Sequence, residues 1–284
     1  MSDLFDAISK IAQRYTPEYL KELAKRAYDD DRNYLENFSN WYPYIIDFGH
    51  FKHSEIISNQ IFTFEEVEIM RETDNIDKVN WDKINEIITP TLNKMQDYKL
   101  YNIKNGCFSN KFDFNTCLAT KKNLAKQLWK INYQSSMFET GGYTELVVRE
   151  IIPYNKKETP TIYNGMPLRT EVRVFYNMDT KQIEYIVDYW DYNYCYESIS
   201  GNKTDSIIFD WFHNNTMHKS KFNMITEYIY KNISTLKFNS RLKGIWSIDF
   251  MYVDNTIEDD LYIYLIDMAR GERSAYWDPN KLMR

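Results

Sequence analysis

The chain has 284 residues, 43% hydrophobic and 27% charged, a composition that supports a substantial core and excludes global disorder. A net charge of −6 gives no support for a broad polyanion-binding surface and no strong nucleic-acid signal, leaving room for a local basic groove. No apolar run approaches the ~20 residues of a membrane span.

Aromatic residues are abundant, with 24 Tyr, but a coding bias toward Tyr, Asn, Ile and Lys explains this as well as an aromatic binding surface does. The opening MSDLFDAISK carries early acidic residues and no apolar stretch, so it does not read as a secretory signal. Cys107, Cys117 and Cys195 are odd in number and lack metal-ligand spacing; they read as free thiols in a reducing compartment. The expected location is therefore the cytoplasm, where the Asn-x-Ser/Thr matches at Asn37, Asn202, Asn214 and Asn232 carry no meaning.

From Leu4 to about Tyr34 the apolar residues recur with helical spacing, broken near Thr16-Pro17, a pair that reads as an N-cap and a first-turn proline. The face with Tyr19, Leu20, Leu23, Ala27 and Tyr28 is expected to pack into a core or between lobes. NWYPYIIDF then ends the helical pattern, and Pro43 is expected to push Tyr42 out of the helical region. Trp41 and Tyr42 read as packing residues. FTFEEVEIM reads as a strand running into a helix, and Trp81–Met95 as an amphipathic helix interrupted at Thr89-Pro90.

Leu100–Ile103 reads as a short strand, followed by Lys104, a polar turn with Gly106, Ser109 and Asn110, and then Lys111. A lysine at a strand end beside such a turn suits phosphate oxygens, because the ammonium neutralises charge while turn N–H groups and the serine donate. The plain alternative is a solvated loop lysine. The glycine spacing is not that of a P-loop. Thr120–Lys130 reads as a helix.

TELVVREIIPY, from Thr144 to Tyr154, is strongly β-prone, and adjacent Arg149 and Glu150 are expected on opposite faces. Arg149 either meets a phosphate or carboxylate or sits on an edge strand near solvent. In LRTEVRVFYN, Arg169, Glu171 and Arg173 alternate with apolar residues, so Glu171 and Arg173 share a face. A hairpin leads from there into QIEYIVDYWD. Ser200–Asn239 reads as a polar loop and then a helix centred on Lys221–Leu236. His213 and His218 near its start are off the spacing of a helical zinc pair and read as surface or packing residues. HExxH, paired CxxC and dinucleotide glycine patterns are absent from the sequence.

The last hairpin joins Gly244–Val253 to Leu261–Met268, each strand carrying one carboxylate in an apolar run, Asp249 and Asp267. A loop symmetric about Glu258 sets these directly opposite, about 5 Å apart at Cβ. A divalent cation between them relieves both repulsion and desolvation, and all-oxygen ligation suits magnesium. The alternative places both in solvent at a strand end.

Taken in order, WYP, the Lys-Asn turn, ELVVRE, TEVRVFY, and IDFMYVD with LIDM resemble the ATP-grasp superfamily. Within it, they resemble the assembly-chaperone family of translation initiation factor 2 and related bacterial and viral proteins. The resemblance implies an α+β, two-lobed ATP-grasp fold of antiparallel sheets flanked by helices. It divides the chain into a helical segment (1–40), an N-terminal and central lobe (41–150) and a C-terminal lobe with the metal-binding hairpin (151–284). ATP would lie between the lobes, with Mg2+ bridging its phosphates to Asp249 and Asp267. Lys104 falls at the family's phosphate-contacting lysine, with Ser109 and Lys111 on the following turn. Arg149, Glu150 and Ile151 fall on the strand leading to the adenine-binding hinge, and Glu171 and Arg173 on the Glu-x-Arg strand. Asp191 lies near the acidic end of the next strand.

One departure stands out: the family has an Asn two residues after the second Asp, where this chain has Ala269. Either Glu272 takes that role or one metal position is weakened. The implied activity is that of a ligase acting through an acyl-phosphate, or a phosphoryl transferase, with Lys104 and Arg173 as the catalytic residues. An ATP-dependent assembly factor gripping a protein partner is the alternative, and an α+β protein without nucleotide the blandest. No motif specifies the acceptor, small molecule or protein.

Overall fold

The structure, a computed structural model, describes residues 16–108, 110–137, 143–253 and 262–282. Thr16 accepts from the Tyr19 amide and Pro17 fills the first turn, so helix α1 (Pro17–Arg32) begins where its cap chemistry places it. Its expected core face is not buried. Tyr19, Leu20 and Leu23 are exposed, while Tyr28 packs edge-on to Phe64 and donates to the Phe62 carbonyl. Polar contacts at its C-terminal end anchor the helix instead: Arg71 reaches Asp31, and Arg32 donates to Ser39.

A one-turn helix, α2 (Phe38–Trp41), runs into a 3-10 turn, Tyr42–Tyr44. Tyr42 keeps helical angles (φ −58°, ψ −44°) despite Pro43, contrary to the expectation for a residue before proline. Its ring stacks on Phe38 at 4.3 Å, and this packing outweighs the local preference. Strands β1 (Ile45–Asp47) and β2 (Lys52–His53) follow, then β3 (Ile56–Ile61). A reciprocal capping box between Thr63 and Glu66 starts α3 (Phe64–Met70). Helix α4 (Trp81–Leu92) continues through Pro90 without the expected interruption. Strands β4 (Tyr101–Lys104) and β5 (Leu118–Ala119), helix α5 (Leu124–Met137) and strand β6 (Glu145–Glu150) complete a four-stranded antiparallel sheet of order β3-β6-β4-β5.

One face of that sheet is apolar. Ile103, Leu146 and Val148 pack with Val67, Ile84, Ile88, Leu124, Leu128 and Ile131 from the three covering helices. Alternation along β6 turns Val147 the other way, into a second core, and Arg149 shares its side.

The second core is built on a five-stranded sheet. A two-stranded ribbon, β7 (Thr161–Ile162) and β8 (Met166–Pro167), precedes β9 (Glu171–Asn177) and β10 (Gln182–Asp188). Helix α6 (Tyr192–Ser200) is capped by Asp191, whose carboxylate accepts from the Tyr194 amide. The stretch expected as a loop and one helix holds two helices, α7 (Lys203–Asn214) and α8 (Thr216–Asn232), because Asn215 breaks the run and caps the second. After β11 (Lys237–Phe238), the long strands β12 (Ile245–Val253) and β13 (Tyr262–Arg270) give the order β10-β9-β12-β13-β2.

Val172, Val174, Ile248 and Phe250 face the core beneath this sheet, with Ile225 and Ile229 of α8. Phe38, Trp41, Ile45 and Phe51 join them, β2 pairs with β13, and β1 with β11. Residues from Phe38 to His53 therefore belong to the second layer, and a lobe boundary at residue 41 does not describe the packing. No helix among the described residues is long and apolar enough to cross a membrane.

Candidate functional site

With Val172, Val174, Ile248 and Phe250 turned into the core, alternation turns Glu171, Arg173 and Asp249 to the opposite face. Register then decides their neighbours. Asp249 sits opposite Arg173 on one side and opposite Asp267 on the other, so the three form a row across β9, β12 and β13. The hairpin thus pairs its carboxylates as the symmetric reading expected. Immediately beyond them a β-bulge shifts the register, so that Phe250 faces Leu265 and Ile266 is left over.

Two cations from the first sheet cross to this row. Lys104, with a side chain only 1% exposed, places Nζ 3.0 and 2.9 Å from the two Asp267 oxygens. Arg149 donates from Nη1 to the carbonyl of the extra bulge residue Ile266 (2.8 Å), and from Nε to Asn102 Oδ1 (3.0 Å). The Lys104–Asp267 and Arg149–Ile266 contacts join β13 to the first sheet, so the two sheets meet through charged side chains. Arg173 holds Asp249 in a fork, Nε to Oδ1 at 2.7 Å and Nη2 to Oδ2 at 2.8 Å, and also donates to the Ala275 carbonyl. Burial alone would lower the Arg173 pKa, but the charge and hydrogen bonds of Asp249 reverse this and raise it.

A cleft opens where these groups converge. Lys111, Arg149, Arg169, Glu171, Asp249 and Asp267 form its polar part, while Ile151, Ile152, Met166 and Met251 lie along an apolar wall. Three of its cations have only neutral partners among the described residues. Lys111 reaches the Tyr189 hydroxyl at 3.1 Å, Arg149 makes the two bonds above, and Arg169 donates to the Pro153 carbonyl at 3.2 Å. Arg169 Nε is buried and unpartnered. Burial lowers the pKa of both arginines, partly offset by Asp267 at Arg149 and by Glu171 at Arg169. Lys111, Arg149 and Arg169 are only partly buried, and the desolvation they suffer is offset when an anion answers them. Glu171 is affected in the opposite direction. Burial pushes its pKa up to about 7 against the pull of the Arg169 charge, and Asp249 adds to the rise.

The structure brings Lys104, Lys111, Arg149, Glu171, Arg173, Asp249 and Asp267 together as a single cluster between the sheets. Glu150 and Ile151 also line the cleft, although the Glu150 carboxylate is engaged by Lys99. Ser109 lies outside the described residues. Glu272 is a correction. It is not among the cleft's lining residues, and Arg270 holds its carboxylate from Nε at 3.1 Å and Nη2 at 2.9 Å, on a half-exposed 3-10 turn. Beside Ala269 the structure instead places Ser247, its strand partner, whose hydroxyl lies 2.6 Å from that of Ser274. Arg169 was not expected here, yet carrying the Glu171–Arg173 alternation two residues back would have found it. Tyr189 and Trp190 reach the cleft from the turn after β10, where sequence periodicity carries no signal.

Searches of protein-family models, of curated proteins and of solved structures find no match to this chain.

Proposed function

We propose that the cleft binds ATP with magnesium. The observation that carries this reading is the meeting, in one cleft, of Lys111, Arg149 and Arg169, which have no carboxylate partner among the described residues, with the opposed pair Asp249 and Asp267. Cations with no carboxylate at ion-pair distance suit the oxygens of a polyphosphate. Two carboxylates on adjacent strands are a hard-oxygen site fitting Mg2+, which is bound through one or two carboxylates together with phosphate oxygens. The apolar wall of Ile151, Ile152, Met166 and Met251 suits a flat base.

In this role Asp249 and Asp267 would hold the magnesium, which would supply charge neutralisation at the phosphate oxygens. Lys104 and Arg173, which pair with these carboxylates in the structure, would then be free to turn toward the phosphates, exchanging ion pairs internal to the protein for pairs with the ligand. The chemistry that follows is ligase-type. A substrate carboxylate attacks the terminal phosphorus, ADP leaves with the bond electrons, and a nucleophile then displaces phosphate from the acyl carbon. Lys104 and Arg173 stabilise the charge that develops on the transferring group. Transfer to a different acceptor gives a phosphoryl transferase with the same residues.

A second reading, an ATP-dependent assembly factor that grips a protein, is favoured by one observation: at Ala269 there is no third metal-binding side chain, and Glu272 is turned to Arg270. The test is thermal unfolding with ATP and MgCl2. Binding at 100 times Kd stabilises the folded state by about 2.7 kcal/mol. No shift at millimolar ATP-Mg, with folded protein confirmed, overturns nucleotide binding. Once binding is established, ADP release dependent on a small-molecule fraction selects the ligase, and a protein complex captured only with ATP selects the assembly factor.

A further inference from the structure

His213 and His218 belong to successive helices, and the break at Asn215 folds α8 back so that both rings face the end of β10. One side-chain ligand atom from each of Asp188, His213 and His218 lies within 4.8 Å of the others. His218, 4% exposed, places Nε2 2.7 Å from Asp188 Oδ2, and the two imidazole centroids are 5.1 Å apart. None of the three lines the ATP cleft. His213 Nε2 is buried and has no hydrogen-bond partner. Such an orphaned nitrogen beside a second imidazole and a carboxylate calls for an electrophile.

The outer contacts are those of oriented ligands. Asp188 Oδ1 accepts from the Trp190 amide at 2.9 Å, and His218 Nδ1 lies 3.0 Å from Thr170 Oγ1. The His213 ring packs edge-on against Phe209 at 4.5 Å and Phe212 at 5.6 Å between ring centroids. Asp188 and His218 are thus fixed from behind by hydrogen bonds, the arrangement that sets tautomer and direction in metal sites, while packing holds the His213 ring. The sequence Thr170–His218–Asp188 also has the connectivity of a nucleophilic triad, but Thr170 is only 3% exposed, and that reading leaves His213 Nε2 unexplained.

We propose that Asp188, His213 and His218 form a zinc site of two imidazoles and one carboxylate, with a fourth position for water. Two nitrogens among three ligands select zinc over magnesium, which prefers oxygen. The site ties the ends of α7 and α8 to β10, two residues before Trp190, which lines the cleft. It is independent of the nucleotide reading, because none of its residues is used there.

The test is zinc titration of chelator-stripped protein against a competing chromophoric chelator, followed by Co2+ substitution. Wild type is expected to take up about one equivalent of zinc, and its Co2+ form to show the visible bands of four-coordinate cobalt without thiolate charge-transfer absorption. His213→Gln is expected to abolish this uptake, and Thr170→Val to weaken it about 10–100-fold by removing the outer contact. Millimolar Mg2+ should not displace the zinc. Failure of wild type to bind, a thiolate cobalt spectrum, or undiminished binding by folded His213→Gln protein each overturns the site. If His213→Gln does not fold, the cobalt spectrum and the Thr170→Val affinity decide it.

Discussion

Arg173 and Asp249 are bound face to face by two hydrogen bonds, Nε–Oδ1 at 2.7 Å and Nη2–Oδ2 at 2.8 Å, on adjacent strands of the second sheet. Both side chains are about nine-tenths buried. Removing the guanidinium leaves Asp249 with no cation in the fork, next to Asp267 on its other side. Breaking a buried pair in this way costs about 3–5 kcal/mol. Arg173→Met is therefore expected to lower stability by about that amount in denaturant titrations. Mg2+ should restore part of it, since the freed Asp249 then binds metal more tightly. A loss insensitive to Mg2+ would show that Asp249 does not face a cation site.

Arg149 separates affinity from metal. It touches no carboxylate within ion-pair distance, and its partners are the Asn102 side chain and the Ile266 carbonyl. Arg149→Met keeps the length of the side chain and removes the charge. The expectation is a fall in ATP affinity of about 10–100-fold, the loss of one charge-assisted hydrogen bond of ~1.5–3 kcal/mol. That fall should be similar with and without Mg2+, whereas Asp267→Asn should remove the Mg2+ dependence. Calorimetric titration of ATP against both variants checks this, and equal metal dependence in the two would refute the division of roles.

Glu171 predicts a pH effect with a definite sign. Its pKa is raised by burial from 4.5 to about 7 in the folded chain. Across that interval the folded state keeps a proton that the unfolded state has released. Stability therefore falls as pH rises through the window and is level above it, by an amount on the order of 3 kcal/mol. Glu171→Gln, which stays neutral, should lose this slope. The check is the difference in unfolding free energy between the two proteins at pH 4.5, 6 and 8 without magnesium. A difference independent of pH would mean that Glu171 is ionised throughout.

Much of the cleft was legible because its carboxylates interrupt apolar strands: Asp249 and Asp267 sit in runs whose alternation and turn fix both face and register. The place of Lys104 at a strand end was readable from the small-residue turn after it, but its burial against Asp267 was not, since that contact crosses between sheets. The bulge after Asp249, which frees the Ile266 carbonyl for Arg149, has no such mark, since the strand remains apolar through it. The Asp188–His213–His218 cluster was hidden for a different reason. Its members come from a strand end and two helices, and a single-helix reading kept the histidines apart. The exposed face of α1 shows the limit of helical periodicity, which says which residues share a side but not what covers it.

Gly106 ties the lysine turn to the rest of the first layer. Its φ of +46° lies in the left-handed region, and a Cβ there would come within 2.4 Å of Asn37 Oδ1 and 3.0 Å of Glu145 Oε1. Neither neighbour yields easily. Asn37 and Glu145 are both 0% exposed; the Asn37 amide donates to the Asp31 carbonyl, and Glu145 accepts from the Ser39 amide. Left-handed strain of about 1–2 kcal/mol and overpacking of about 1–3 kcal/mol act together on Gly106→Ala. The expected loss is about 2–5 kcal/mol in chemical denaturation. Because the turn directly follows Lys104, the surviving folded protein should also bind ATP-Mg more weakly than wild type. A change below about 0.5 kcal/mol, the level of an indifferent surface substitution, would show that this turn accommodates a side chain and does not set the position of Lys104.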